Sequence, residues 1–124
     1  KESEYVEKQI EGLLIKCSGP HQQVKTLSGG NKQKVVFGKW VAYDSDILIL
    51  DCPTRGVDVG VKAAMYQLIY DMKTQGKSII MISEEMPELI GMSDRILIMK
   101  DGKITGEFFR QNGFSEHDLI ECMI

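Results

Sequence analysis

The sequence lacks any pair of cysteines at the spacing that zinc ribbons or thioredoxin-like redox sites require. Its three cysteines, Cys17, Cys52 and Cys122, lie far apart in the 124 residues, and no C-x-x-C occurs. This usage excludes both classes of site. An odd number of cysteines without a pairing pattern is typical of proteins in the reducing cytosol.

Long apolar runs and an excess of basic residues are also absent. No apolar stretch approaches the roughly 18–20 residues of a membrane span, and no signal-peptide core opens the chain. The net charge is −3, which argues against a nucleic-acid partner because such a partner requires a basic face. The sequence shows no internal repeats. Its apolar fraction of 43% is enough for the core of one small domain.

Hydrophobic periodicity predicts alternating helices and strands. The predicted helices cover residues 3–17, the segment after an N-cap at Ser28, and residues 59–75, 85–91 and 115–123. Continuous apolar runs at Ile47–Asp51 and Ser78–Ser83 predict strands that are buried on both faces. Asp101-Gly102 predicts a hairpin between strands at Arg95–Lys100 and Lys103–Arg110. The predicted fold class is therefore α/β, with parallel strands, crossover helices, and a C-terminal β-hairpin and helix.

The helix after Ser28 carries apolar side chains at helical spacing, which predicts that one face is buried. This face comprises Val35, Val36, Trp40 and Val41. Gly38 lies in the same helix and indicates close packing, since a glycine there is unfavourable by up to about 1 kcal/mol relative to alanine. The sequence starts inside a predicted helix, which suggests that further sequence precedes Lys1.

The stretch Leu27–Asn31 places a serine and two glycines at a predicted helix start. Glycines allow a ligand to approach the backbone closely, and a helix N-terminus offers unpaired N–H groups and a positive dipole end. This pattern predicts a phosphate-binding site. A flexible loop with a capping serine is the alternative interpretation of these residues alone.

A carboxylate ends the buried strand Ile47–Asp51. The carboxyl end of such a strand is where α/β folds place metal or phosphate chemistry. An acid that caps the turn at Pro53-Thr54 is the alternative. Asp58 has the features of a helix N-cap, since an aspartate is common there.

The order of these motifs resembles the nucleotide-binding subunit of ABC transporters. Leu27–Asn31 matches its signature motif, Ile47–Asp51 its Walker B strand and Arg55–Asp58 its D-loop. The stretches "LSGGNKQKVVFGKW", "PTRGVDVG" and "SEEMPELIGMSDRILIM" resemble the C-terminal cassette of bacterial ribose- and galactose-type importers. The resemblance covers essentially all of the sequence.

The resemblance implies a partial P-loop NTPase fold. Residues 1–43 would form the end of the helical subdomain, with the signature motif, and residues 44–124 the second half of the catalytic core. The Walker A pattern, G-x-x-x-x-G-K followed by Ser or Thr, is absent from the sequence. The fold would therefore lack the Walker A strand, and the chain would have no complete nucleotide site of its own.

The resemblance also implies roles for individual residues. Two cassettes of this family close around two ATP molecules, so that Ser28, Gly29, Gly30 and Asn31 would contact the γ-phosphate of ATP held by a partner. Asp51 would hold Mg²⁺ through water, and Asp58 would lie at the dimer seam. The cofactors implied are ATP and Mg²⁺, available only with a complete partner cassette.

Two residues depart from the family pattern. Cys52 stands where the family usually has the glutamate that polarises the attacking water, and a thiol beside the Asp51 carboxylate is a poor base. Glu84 stands at the position of the switch histidine, where an anion would repel a γ-phosphate. We therefore expect an isolated chain that does not hydrolyse ATP. The alternatives are an interaction module that pairs with another ABC ATPase, or a decayed product without activity.

The implied partners are another ABC ATPase cassette and the sugar-permease membrane subunits. The assembled chain would be cytoplasmic and peripheral to the inner face of the cell membrane. Without a Walker A strand, the edges of the strands near Ile79–Ile82 and Arg95–Met99 would be unpaired. Exposed edges recruit other strands, so we expect an isolated chain to form a homodimer or a rearranged, element-swapped oligomer.

Overall fold

The computed structural model describes all 124 residues and contains five α-helices and four strands. The elements are α1 Glu2–Gly12, α2 Gly29–Ala42, β1 Ile47–Asp51, α3 Val59–Thr74, β2 Ser78–Ile82, α4 Met86–Met92, β3 Arg95–Lys100, β4 Lys103–Phe109 and α5 Glu116–Met123. No helix combines the length and the apolar character that spanning a bilayer requires.

The chain divides into two compact units, residues 1–82 and residues 83–124. The first unit contains α1 to β2, and the second contains α4 to α5. The boundary predicted between residues 43 and 44 comes from the family resemblance. The two compact units do not test it, so it stays a prediction.

A two-stranded parallel sheet forms the centre of the first unit. Strand β1 pairs with β2 from Ile47↔Ser78 to Asp51↔Ile82, and α3 provides the crossover that parallel strands need. Gly76 ends this crossover with a φ of +88°, as expected of a glycine after a helix C-terminus. The predicted parallel pair is confirmed.

The prediction that both faces of these strands are buried is wrong. Leu48 and Leu50 are buried, whereas Ile47 and Ile49 are 62% and 66% exposed. On β2, Ile80 and Ile82 are 53% and 50% exposed. Burial therefore alternates along the strands, because side chains of a strand alternate between its two faces and only one face here is covered.

Helix α1 ends earlier than predicted, at Gly12 instead of near residue 17. The chain turns at Leu14, which has a φ of +52°. The turn places Leu13 in the core, where it is 2% exposed. A Cβ atom on Gly38 would lie 2.7 Å from Leu13 Cδ1, so the close packing predicted for Gly38 is confirmed.

The predicted apolar face of α2 is correct for Val35 and Val41, which are partly buried, and wrong for its other two residues. Val36 and Trp40 are each 52% exposed, and the buried residues of the helix are Lys34, Phe37 and Gly38. The buried face of α2 therefore differs from the one that periodicity predicts. The segment after α1 packs against Lys34 and Gly38. In this packing a lysine takes a core position.

The second unit is built around a β-hairpin covered by α5. Asp101 and Gly102 have φ angles of +50° and +75°, as the predicted two-residue turn requires. Strand β3 hydrogen-bonds only with β4, antiparallel, and β2 only with β1. The C-terminal hairpin and helix are confirmed, and β2 and β3 each keep one edge that pairs with no other strand.

The core of the second unit consists of three buried residues, Ile96, Ile98 and Leu119, with partly buried side chains around them. Helix α5 begins at Ser115, whose hydroxyl oxygen accepts a hydrogen bond from the backbone N–H of Asp118 at 3.3 Å. This bond caps the helix that the sequence predicts from residue 115, and the helix places Leu119 in the core of the hairpin.

Replacing Gly106 with alanine is expected to lower the free energy of unfolding by about 1–3 kcal/mol, as overpacking does. A Cβ atom at this position would lie 2.7 Å from Cys122 Sγ and 2.8 Å from Phe108 Cε2, so α5 and β4 would have to separate. Urea denaturation followed by circular dichroism measures the change. Gly91→Ala in α4 is the matched control, because nothing lies within 4 Å of its Cβ position. Equal stability of the two variants would contradict the expectation.

Candidate functional site

Ser28 caps α2, as the sequence predicts. Its hydroxyl oxygen accepts hydrogen bonds from the backbone N–H of Asn31 at 3.4 Å and from Asn31 Nδ2 at 2.8 Å. Nothing lies within 4 Å of the Cβ positions of Gly29 and Gly30. The first N–H groups of a helix have no partner within it and carry its positive dipole end. This arrangement fits an anion such as a phosphate.

Asn31 links this serine to the segment after α1. Its Oδ1 accepts a hydrogen bond from the backbone N–H of Lys16 at 2.9 Å, while its Nδ2 donates to Ser28. Of the residues predicted at the site, Ser28 and Asn31 are therefore in direct contact. The bond to Lys16 spans fifteen residues, and no signal in the sequence indicates it.

Lys34 is a site-adjacent residue that the sequence analysis missed. It is 5% exposed, and its Nζ donates a hydrogen bond to the carbonyl of Leu14 at 2.6 Å. Burial lowers the pKa of Lys34, the negative charge of Asp58 raises it, and the positive charge of Lys16 lowers it. This burial is unexpected, because a lysine in an amphipathic helix usually lies in solvent.

Asp51 and Cys52 line an open cleft of about 290 Å³ together with Gln33 and Arg55. Gln33 Nε2 donates a hydrogen bond to the carbonyl of Pro53 at 2.9 Å, which ties α2 to the turn after β1. Neither Gln33 nor Arg55 was predicted as a site residue. The exposed Asp51 carboxylate is a hard oxygen ligand of the kind that Mg²⁺ prefers, so the residue fits the implied ion.

Cys52 has a left-handed backbone, with a φ of +45°. Its N–H donates to the carbonyl of Ile82 at 2.9 Å, which extends the parallel pairing by one residue. The side chain is partly buried. A positive φ is uncommon for a residue other than glycine and here turns the chain sharply after β1.

Asp58 caps α3 through a 3.0 Å hydrogen bond from the backbone N–H of Val61 to its Oδ1. The predicted cap is confirmed, and the carboxylate also acts on the charge of Lys34. A helix cap and a D-loop role are compatible, since the cap uses one of the two carboxylate oxygens.

Glu84 belongs to the second unit and is exposed in the segment before α4. The adjacent Ser83 donates a hydrogen bond to the buried Glu88 and accepts one from the N–H of Glu85 at 3.0 Å. These bonds hold the backbone on both sides of Glu84. Glu84 therefore lies between two residues whose positions hydrogen bonds fix.

Comparisons with known proteins give relatives over most of the sequence. The ribose import ATP-binding protein of Geobacillus kaustophilus is 56% identical over 122 residues, which are 98% of this chain and 24% of that protein. The galactose/methyl galactoside import ATP-binding protein of Clostridium tetani is 55% identical over 101 residues, which are 82% of this chain and 20% of that protein. The chain thus spans a quarter or less of the length of these relatives. No family model matches the sequence.

A solved structure of an ATP-binding subunit of an ABC transporter has the same fold. It superimposes with a TM-score of 0.83 at 19% identity and covers 98% of this chain and 55% of that one. The match confirms the predicted partial α/β fold of an ABC ATPase cassette. With relatives above half identity and this fold, the chain belongs to the ATP-binding proteins of ABC transporters, and it matches part of one cassette.

Proposed function

We propose that the chain supplies the signature motif, the Walker B strand and the D-loop of an ATPase cassette in a bacterial sugar importer. The observation that carries the proposal is the 56% identity with a ribose import ATP-binding protein over 98% of the chain. The geometry agrees with it, because Ser28, Gly29 and Gly30 lie at the N-terminus of α2 with open space around the glycines.

In this proposal Ser28, Gly29, Gly30 and Asn31 bind the γ-phosphate of ATP that another cassette holds. Asp51 binds Mg²⁺ through water, and the ion would neutralise charge on the phosphate oxygens. Asp58 lies at the seam between cassettes. Phosphoryl transfer depends mainly on positioning the reactants and stabilising charge. This chain would therefore contribute hydrogen-bond donors for the phosphate and the Asp51 carboxylate for the ion.

The isolated chain is proposed to be non-hydrolytic. Cys52 occupies the position of the water-activating glutamate, and Glu84 presents a negative charge at the position of the switch histidine. Asp51 and Cys52 line one cleft, but a thiol there does not replace a carboxylate as a base at neutral pH. These two residues favour the second candidate, a non-catalytic module that pairs with another ABC ATPase.

The proposed partners are a second ABC ATPase cassette and the sugar-permease membrane subunits. Assembly with the permease would hold the chain at the cytoplasmic face of the cell membrane. In isolation the chain is proposed to associate with a second copy, because one face of its parallel sheet exposes apolar side chains and β2 pairs with no strand besides β1.

The test is association with a complete relative in the presence of Mg²⁺ and ATP. The purified chain is expected to bind the Geobacillus kaustophilus protein more tightly with Mg-ATP than without it, as measured by surface plasmon resonance. Ser28→Arg is expected to reduce this binding more than tenfold, because its bulk and lost hydroxyl remove the phosphate site. Ser45→Arg, in the exposed loop before β1, is the matched control that keeps binding.

The proposal would be contradicted if the two variants bound equally, or if the affinity were the same with and without Mg-ATP. Phosphate release is measured in parallel with the pure chain. Magnesium-dependent release that is abolished by Asp51→Asn would contradict the non-hydrolytic role.

A further inference from the structure

Three residues on one face of α2 hold the short segment that follows α1. Asn31 binds the N–H of Lys16, Lys34 binds the carbonyl of Leu14, and Gly38 packs against the side chain of Leu13. Their spacing of three and four residues places them on the same side of the helix. Segment 13–16 is therefore fixed along α2 by one contact per turn, and the contact nearest the helix N-terminus is made by Asn31.

The direction of these bonds determines the orientation of the Asn31 amide. The backbone N–H of Lys16 can only donate, so the side-chain atom that faces it must be the carbonyl oxygen. The amide nitrogen then faces Ser28, at 2.8 Å from its Oγ. Since this nitrogen can only donate, Ser28 must accept.

The hydroxyl of Ser28 is consequently a donor toward its surroundings. A serine oxygen has two acceptor positions and one hydrogen. Both acceptor positions face N–H groups of Asn31, and the hydroxyl hydrogen has no acceptor within the chain. An anion at the N-terminus of α2 requires a hydrogen-bond donor. The Ser28 hydroxyl is available as that donor before any ligand binds.

We propose that Asn31 is a positioning residue that presents the Ser28 O–H as a donor, and that segment 13–16 sets the orientation of Asn31. This inference rests on the proposed phosphate site at Ser28. It adds the orienting of Ser28 to the phosphate contact proposed for Asn31, because the carbonyl and one amide hydrogen of Asn31 are engaged within the chain. A displacement of the end of α1 would reach Ser28 through Asn31.

A first measurement reports on the bond between Asn31 and Lys16 without any nucleotide. Hydrogen exchange at the Lys16 amide, followed by NMR, is expected to be at least tenfold faster in Asn31→Ala. Asn31→Asp is expected to keep the protection, because a carboxylate oxygen accepts the same bond. Asn112→Asp adds the same charge elsewhere and is the matched control.

A second measurement uses a double-mutant cycle on the Mg-ATP-dependent binding to the Geobacillus kaustophilus protein. Asn31→Ala is expected to weaken binding about tenfold in the wild-type background. It is expected to have little further effect in Ser28→Ala, because residues that act through one hydroxyl are not additive. Additive losses, or wild-type binding by Asn31→Ala, would overturn the inference.

The two measurements separate failure of this inference from failure of the proposed function. If the wild-type chain shows no nucleotide-dependent binding, the proposed function is contradicted. Exchange at Lys16 still tests the contact on which the inference depends: faster exchange in Asn31→Ala supports the hydrogen bond between Asn31 and segment 13–16, and unchanged exchange overturns the inference.

Discussion

Replacing Leu119 with alanine is expected to lower the free energy of unfolding of the second unit by about 2–5 kcal/mol, the range for a buried leucine. Leu119 is 0% exposed and packs with Ile96 and Ile98. These three residues are the whole buried core of a unit of 42 residues, from 83 to 124.

Urea denaturation and hydrogen exchange of the β3 amides measure the effect of Leu119→Ala. Exchange at Ile96 and Ile98 is expected to become faster, because these amides report on the opening of the second unit. Ile120→Ala is the matched control, since the neighbouring side chain is 42% exposed on the same helix. Similar losses in both variants would mean that α5 does not hold the hairpin through Leu119.

In isolation the chain is expected to form dimers or larger oligomers through the sheet of the first unit. Ile47, Ile49, Ile80 and Ile82 form an uncovered apolar face, with exposures from 50% to 66%. Contiguous exposed apolar side chains mark association surfaces. The unpaired edge of β2 adds backbone donors and acceptors that another strand can satisfy.

Light scattering coupled to size exclusion tests this expectation. The wild-type chain is expected at twice the chain mass of 14.0 kDa or more. The double variant Ile49→Lys with Ile80→Lys is expected at the mass of one chain, because two adjacent charges oppose stacking of this face. Ile124→Lys, at an 82% exposed C-terminal residue, is the control and keeps the wild-type mass. A stable, monodisperse wild-type monomer would contradict the expectation.

Sequence reasoning performed best where the interaction is local. The N-caps at Ser28, Asp58 and Ser115 each bind a backbone N–H three residues later. The hairpin turn at Asp101-Gly102 needs only the φ angles that these two residues tolerate. Such features follow from a few neighbouring residues, so they can be predicted without knowledge of the fold.

Sequence reasoning failed where burial depends on distant neighbours. Lys34 lies in the core of the first unit because a carbonyl twenty residues earlier in the chain accepts its hydrogen bond. Ile47 and Ile49 look like core residues in a continuous apolar run, yet they are 62% and 66% exposed. Helical and strand periodicity predict which side chains share a face. They do not predict which other segment packs against that face.

By itself, the sequence determined the α/β class, the helix starts and the order of motifs by which the family was identified. The tertiary structure alone decided that Asn31, Lys34 and Gly38 hold segment 13–16, and the proposed donor state of the Ser28 hydroxyl rests on these contacts. Motifs and caps are set by residues close in sequence. The direction of a hydroxyl is set by a chain of hydrogen bonds that exists only after remote segments have packed together.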